Sequence, residues 1–283
     1  MIDDLGVRAG LDGRVVRHTV GDVRPRAHSH AELELNLVVR GTASYLLGDR
    51  RYALTSGTLT WLFPGQDHLL VDESSEHELW WAVFRPALVA RIATTQHARP
   101  LLEQDPVEQF SRRLDSGRVR RLGALFHEVR DAETVDDVLA NTGLAYLLRL
   151  AWRAFLDSDD VVEGVDLHPA VETVARILQA DPDAGDLTTL ARAASLSPFH
   201  LSRIFNEQTG VSISRFRNQQ RLQRFLRLYG RGRRTTALAA ALEAGFGSYA
   251  QFHRVFREQT GRSTSALRTA AADDDLSLAR SRR

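Results

Sequence analysis

A fifteen-residue segment occurs twice near the C-terminus, and this duplication limits what the chain can fold into more than any other feature. Arg203-Ile204-Phe205-Asn206-Glu207-Gln208-Thr209-Gly210 and the seven residues after it return from Arg254-Val255-Phe256-Arg257-Glu258-Gln259-Thr260-Gly261, fifty-one residues on, with nine of the fifteen positions identical. Repetition of this kind means two copies of one supersecondary unit. Ahead of the first copy, residues 187–194 have the period of a short amphipathic helix, Ser195-Leu196-Ser197 is a tight turn, and Ser197 followed by Pro198 is a good N-cap and first helical residue. Ahead of the second, residues 236–244 lead into Gly245-Phe246-Gly247-Ser248, a turn one residue longer. Helix, short turn and a helix opened by Ser is the pattern of a helix-turn-helix, and the chain carries it twice.

The net charge of +1 conceals an asymmetry. Residues 186–268 hold fourteen Arg and four acidic residues, a charge of +10, whereas residues 1–185 hold twenty Arg and twenty-nine acidic residues, a charge of −9. A basic module on an acidic body is the footprint of polyanion binding. Every Lys+Arg residue is Arg, which a GC-rich genome explains. The absence of Cys excludes disulfides and thiolate metal sites. Met1-Ile2-Asp3-Asp4 has neither a basic nor an apolar leader pattern, and the apolar run from Leu144 to Leu156 is broken by Arg149 and Arg153. The expectation is a cytoplasmic protein with no membrane partner.

Between about Val15 and Phe84 the signals are those of strands: Leu33 to Leu37 alternates, and residues 43–47, 58–63 and 78–84 are β-rich runs parted by Gly48-Asp49 and Ser56-Gly57. Many short strands predict a small barrel or sandwich. After Pro86, residues 118–131 and 135–156 place apolar side chains at helical spacing. The expected domains are 1–160, a linker at 161–167, a helical domain at 168–270 and a disordered tail at 271–283.

The second helix of a helix-turn-helix enters the major groove. With Leu201, Ile204 and Phe205 buried, the first motif offers Phe199, His200, Ser202, Arg203 and Asn206 to the groove or its rim; the second offers Tyr249, Ala250, His253, Arg254 and Arg257. Arg203 and Arg254 occupy matching positions, where each reads guanine or clamps phosphate. A helix over residues 214–229 joins the motifs, and Arg221, Arg224, Arg227, Arg231, Arg233 and Arg234 on and after it face either phosphates or solvent.

These residues, from Ala191 to Arg268, resemble the double helix-turn-helix domain of AraC/XylS-type transcription regulators. The resemblance implies double-stranded DNA as partner, contacted through Phe199, Ser202 and Arg203 and through Tyr249, Ala250, His253 and Arg254, and RNA polymerase as a second partner. Ser195 stands where the family has Gly, and Thr264 and Leu267 replace a Pro and an aromatic.

The strand region contains His28-Ser29-His30, Glu34, Gly41, Pro64-Gly65 and His68, which resemble the two short motifs of the cupin barrel, with Asp72 in place of a closing Asn. Alternation puts His28, His30, Glu32, Glu34 and Asn36 on one strand face and Leu33, Leu35, Leu37 and Val39 on the other. His28, His30, Glu34 and His68 are then a set for a divalent metal such as Zn, Fe or Mn, or else hydrogen-bonded polar groups lining a pocket. Asn36, Trp61, Phe63 and Trp81 are candidates for an effector pocket, with the core as the alternative for the aromatics. The helices after the barrel serve a homodimer or pack against it. The expected fold is an N-terminal cupin-like β-barrel with trailing helices and a C-terminal all-α double helix-turn-helix. The leading function is a non-enzymatic DNA-binding regulator controlled by a small molecule or metal in the barrel; the alternative is a metal-dependent cupin enzyme with an appended DNA-binding domain.

Overall fold

The computed structural model describes residues 5–19, 30–104, 110–230 and 236–260. The chain divides into two compact units, the second beginning at Pro169.

In the first unit, strands β1 (Gly13–Thr19), β2 (Leu33–Arg40), β3 (Thr42–Leu47), β4 (Arg50–Thr55), β5 (Thr58–Leu62), β6 (His68–Val71) and β7 (Glu78–Phe84) are followed by α1 (Pro86–Ile92) and a 3-10 segment (Gln96–Leu102). Then come β8 (Ser111–Arg113), α2 (Ser116–Ala132), α3 (Asp137–Leu156) and the two-residue β9 (Val165–Asp166). The strands form two sheets, ordered β1-β7-β2-β5-β8 and β6-β3-β4-β9. Neither β8 nor β9 has a signal of its own in the sequence. Short, charged Ser111-Arg112-Arg113 pairs only because β5 offers it an edge, and Val165 and Asp166, within the stretch read as linker, pair with Arg51 and Arg50 of β4.

Register decides what each face of β2 sees. Asn36 lies opposite Trp81 of β7 and Thr60 of β5, while Leu35 lies opposite Ala82 and Trp61. Tyr45 of β3 donates its hydroxyl to Asn36 Oδ1 at 3.0 Å, so the Glu34–Asn36 face looks toward the second sheet. The opposite face is covered by α2 and α3: Trp80 stacks on Phe126 with centroids 5.5 Å apart, and Trp61 meets Trp152 edge-on at 5.6 Å. Six successive residues of β2, Leu33 to Val38, are therefore buried although their sequence alternates. Asp115 caps α2, and Asp136 caps α3 by accepting from the backbone N–H groups of Val138 and Leu139. That cap starts α3 at Asp137, and Val135, expected within the helix, is left 83% exposed.

The second unit contains α4 (Pro169–Ala180), α5 (Leu187–Ala193), α6 (Pro198–Thr209), α7 (Ile213–Gly230), α8 (Ala237–Glu243) and α9 (Tyr249–Thr260). Helix α7 packs against α6 on one side and against α8 and α9 on the other. Phe216 meets Phe205 at 5.3 Å, and Phe225 meets Phe252 at 4.2 Å. Aromatics on one helix thus anchor both motifs.

Candidate nucleic-acid interface and barrel site

The two helix pairs, α5–α6 and α8–α9, repeat each other bond for bond. Leu196 N–H donates to Ala191 O at 2.9 Å, and Phe246 N–H donates to Ala241 O at 3.1 Å. Ser197 Oγ accepts from His200 N–H, and Ser248 Oγ accepts from Gln251 N–H. Ser195 and Gly245 hold the same turn position, both at positive φ, +55° and +98°. The extra residue, Gly247, is bonded to the Gln251 side chain.

On α6, Leu201, Ile204 and Phe205 are buried, Phe199, Arg203 and Asn206 are exposed, and His200 and Ser202 are half-buried. On α9, Phe252, Val255 and Phe256 are buried, Tyr249, Ala250, Arg254 and Arg257 are exposed, and His253 is half-buried. Phe199, at 80% exposure, leads the first surface. Each matching Arg lies beside an acid one turn on: Arg203 donates to both oxygens of Glu207 at 2.9 and 3.0 Å, and Arg254 lies 3.9 Å from Glu258. Exposed pairs of this kind are weak and exchange readily for a phosphate or a base edge.

The Arg residues of α7 divide differently. Arg221 is held by Asp183, at 2.6 and 2.9 Å, with its side chain only 16% exposed, and Arg224 lies 3.8 Å from the same carboxylate. Arg217 donates to Gly185 O at 2.6 Å, and burial holds its pKa below the ordinary arginine value. Arg221 and Arg217 therefore brace the loop before α5, so the Arg221 guanidinium, expected to face either phosphates or solvent, is engaged by Asp183 instead. The side chain of Arg227, and Arg231, Arg233 and Arg234, lie outside the described residues.

In the first unit, His30, Glu34 and His68 are buried with their donor atoms within 4.8 Å of one another. His28 lies outside the described residues. His30 Nδ1 is 2.9 Å from Glu32 O, and His68 Nδ1 is 3.0 Å from Gln66 O. A carbonyl only accepts, so Nδ1 carries the proton in both rings and Nε2 of a neutral ring presents a lone pair. His30 Nε2 is 3.0 Å from Glu34 Oε2, and His68 Nε2 is 3.8 Å from the same oxygen. Glu34 Oε1 accepts from Asn36 Nδ2 at 2.8 Å. Either a proton on Nε2 or a metal cation between ring and carboxylate satisfies this approach of His30 to Glu34. Burial works against charge on His30, yet the hydrogen bond and charge of Glu34, with Glu32 behind, hold its pKa above the ordinary histidine value. The residues fit a divalent metal, with backbone carbonyls fixing both imidazoles as outer-shell partners do in metal sites.

The effector candidates separate. Asn36 and Trp81 share the face toward the second sheet, whereas register puts Trp61 on the helix-covered face, against Phe84 and Trp152. Phe63 packs on Phe110. A cavity of about 630 Å³ lies elsewhere, between α1, the 3-10 segment and α3, lined by Ile92, Leu101, Leu150, Arg149 and Arg153 among others and by none of these four. Sequence reasoning also missed His18, Glu73 and His77, which meet in a second group, two buried imidazoles on a partly exposed carboxylate.

Two family models match. An AraC-like ligand binding domain covers residues 14–148, and a helix-turn-helix domain covers residues 190–270. The chain is 25% identical over 255 residues to the arabinose operon regulatory protein of Escherichia coli, covering 84% of this chain and 81% of that one. It is 30% identical over 140 residues to an uncharacterized HTH-type transcriptional regulator of Haemophilus influenzae, a match spanning 50% of this chain and 47%, about half, of that relative. ToxT from Vibrio cholerae is similar at 15% identity and a TM-score of 0.38, covering 90% of this chain and 96% of that one. A β-rich ligand-binding unit followed by a helical helix-turn-helix unit defines a class of DNA-binding regulators. The chain belongs to the AraC family of transcription regulators. That family is non-enzymatic, which replaces the appended-enzyme alternative. Among the described residues no helix is long and apolar enough to cross a membrane.

Proposed function

We propose that this protein is a cytoplasmic, sequence-specific regulator in which α6 and α9 read two successive major grooves and a divalent metal held by His30, Glu34 and His68 sets its affinity for DNA. Helix α7, eighteen residues and about 27 Å long, suits a separation near one DNA turn. The observation that carries the effector reading is the convergence of His30, Glu34 and His68, whose donor atoms lie within 4.8 Å of one another, with both Nδ1 atoms held on backbone carbonyls so that both Nε2 atoms face one carboxylate. What a cation supplies there is a tie between β2 and β6, one from each sheet. Its effect on DNA binding equals its differential affinity for the chain's DNA-competent and incompetent states, and no more.

The test is genome-wide mapping of DNA bound by the full chain, then titration of the best site with and without Zn²⁺. Expected are a motif of two blocks about one helical turn apart, and an affinity that changes with Zn²⁺ in the natural chain but not in His68→Asn. Binding that ignores sequence overturns the reading helices; a Zn²⁺ response that survives His68→Asn overturns the effector site. The cavity beside α3 favours a second reading, an apolar small molecule with an acidic group set against Arg149, and a metal-independent response abolished by Arg149→Ala would select it. Homodimerisation and contact with RNA polymerase complete the proposal.

A further inference from the structure

Two more imidazoles converge on a carboxylate outside the site just described. His18 Nε2 lies 2.6 Å from Glu73 Oε1, and His77 Nδ1 lies 2.7 Å from the same oxygen. Both rings are essentially buried, at 2% and 1%, with centroids 5.9 Å apart, whereas the Glu73 side chain is 27% exposed. Donor atoms of all three residues lie within 4.8 Å of one another. We propose that His18, Glu73 and His77 form a second metal site, specific for a divalent first-row transition ion, with Zn²⁺ the ion to test.

The framework around the three residues is fixed before any ligand arrives. His18 is held on β1 opposite Leu79 of β7, and residues 72–77 connect β6 of one sheet to β7 of the other. Ser74 N–H donates to Thr42 O at 2.8 Å, Ser74 Oγ accepts from Thr42 N–H at 3.0 Å, and His77 N–H donates to Ser74 O at 2.9 Å. Gly41, at φ +74°, lets this loop close, because a Cβ there would press on Ser74 Oγ and the His77 backbone at 2.6–2.7 Å. A donor set on such a frame loses little freedom on binding.

Donor chemistry selects the ligand. Two imidazoles and one carboxylate suit zinc or iron, whereas calcium and magnesium call for more oxygens than Glu73 supplies. A cation about 2.1 Å from each donor asks the imidazoles to retreat from Glu73 by less than about 1 Å, and the exposed edge of Glu73 gives solvent and ion a way in. His18 Nε2 and His77 Nδ1 are the ring nitrogens that converge on one Glu73 oxygen, so the ion would take these two nitrogens and the carboxylate.

The second site stands apart from the effector reading, since it uses different strands and no residue of the first set. Bound there, an ion ties the end of β1 to the loop that crosses between the sheets. The test is the full chain with His30→Asn, Glu34→Gln and His68→Asn combined, so that the first set is silenced, dialysed against Zn²⁺ and analysed for metal, with circular dichroism confirming the fold. The expected result is one equivalent of Zn²⁺. Adding His77→Asn or Glu73→Gln should weaken binding by more than about 100-fold, the upper end of the effect of losing an outer-shell partner. Glu73→Gln, partly exposed, carries the test should His77→Asn fail to fold. No stoichiometric Zn²⁺ in the silenced chain, or unchanged binding after the added substitution, overturns the site; neither result touches the His68→Asn experiment.

Discussion

Ser195 and Gly245 offer an internal control, since one turn position is filled by a strained residue in one copy and by glycine in the other. An L-residue in the left-handed region costs about 1–2 kcal/mol, and glycine gives back about 0.5–1 kcal/mol through the freedom of the unfolded chain. Ser195→Gly should therefore stabilise the second unit by about 0.5–1 kcal/mol. Gly245→Ala should act in the opposite sense and more strongly. Its net backbone strain is about 1 kcal/mol, and its Cβ would collide with the Asp183 carboxylate, which must then swing away from Arg221. Losing that half-buried pair adds about 1 kcal/mol, for a total near 2 kcal/mol. The assay is urea unfolding of the full chain followed by circular dichroism, with tryptophan fluorescence as reference, because all four Trp residues belong to the first unit. The fluorescence transition should not move in either variant. A neutral Gly245→Ala, or a Ser195→Gly that destabilises, would refute the equivalence of the two turns.

Arg203→Ala or Arg254→Ala should each lower affinity for the mapped DNA site by about 1–3 kcal/mol if the guanidinium reads a base, measured by equilibrium titration; unchanged affinity in both removes the proposed reading surface. Arg221→Ala should lower the stability of the second unit while leaving the salt slope of DNA binding unchanged, because Asp183 already engages its guanidinium; a shallower slope would restore it to the phosphate contacts. Glu133 is desolvated by burial, which raises its pKa above 4.5 despite the Val15 N–H it accepts and the nearby Arg14, Arg8 and Arg130. The folded state thus holds this proton more tightly, so its contribution to stability falls as pH rises from 4.5 through the folded pKa. Glu133→Gln should unfold at higher temperature than the natural chain at pH 7, with the difference vanishing below about pH 4; a difference that persists in acid would exclude the ionisation as its cause.

What could be read from the sequence was local. Caps such as Ser197 with Pro198, and the apolar spacing of Leu201, Ile204 and Phe205, specify a helix without help from the rest of the chain, and α6 begins and packs accordingly. Alternation likewise separated Glu34 and Asn36 from Leu35 and Leu37. It carried no information about which face of β5 looks inward, and both faces are buried once α2 and α3 cover the sheet, so Trp61 was grouped with Asn36 although they lie on opposite sides. His18 and Glu73 are fifty-five residues apart and belong to no motif. They meet only because β1 pairs with β7 and the loop before β7 is pinned to Thr42.

The Asp183 carboxylate reaches the connecting helix through Arg221 and lies against the second turn at Gly245, though it belongs to the loop preceding the first motif. One side chain outside α6 and α9 thereby touches both the helix that joins the two motifs and the turn of the second. On the proposed two-groove reading, the stiffness of this junction should discriminate operators with a base pair inserted or deleted between their two blocks, and a change at Asp183 should relax the spacing preference while α6 and α9 stay the same.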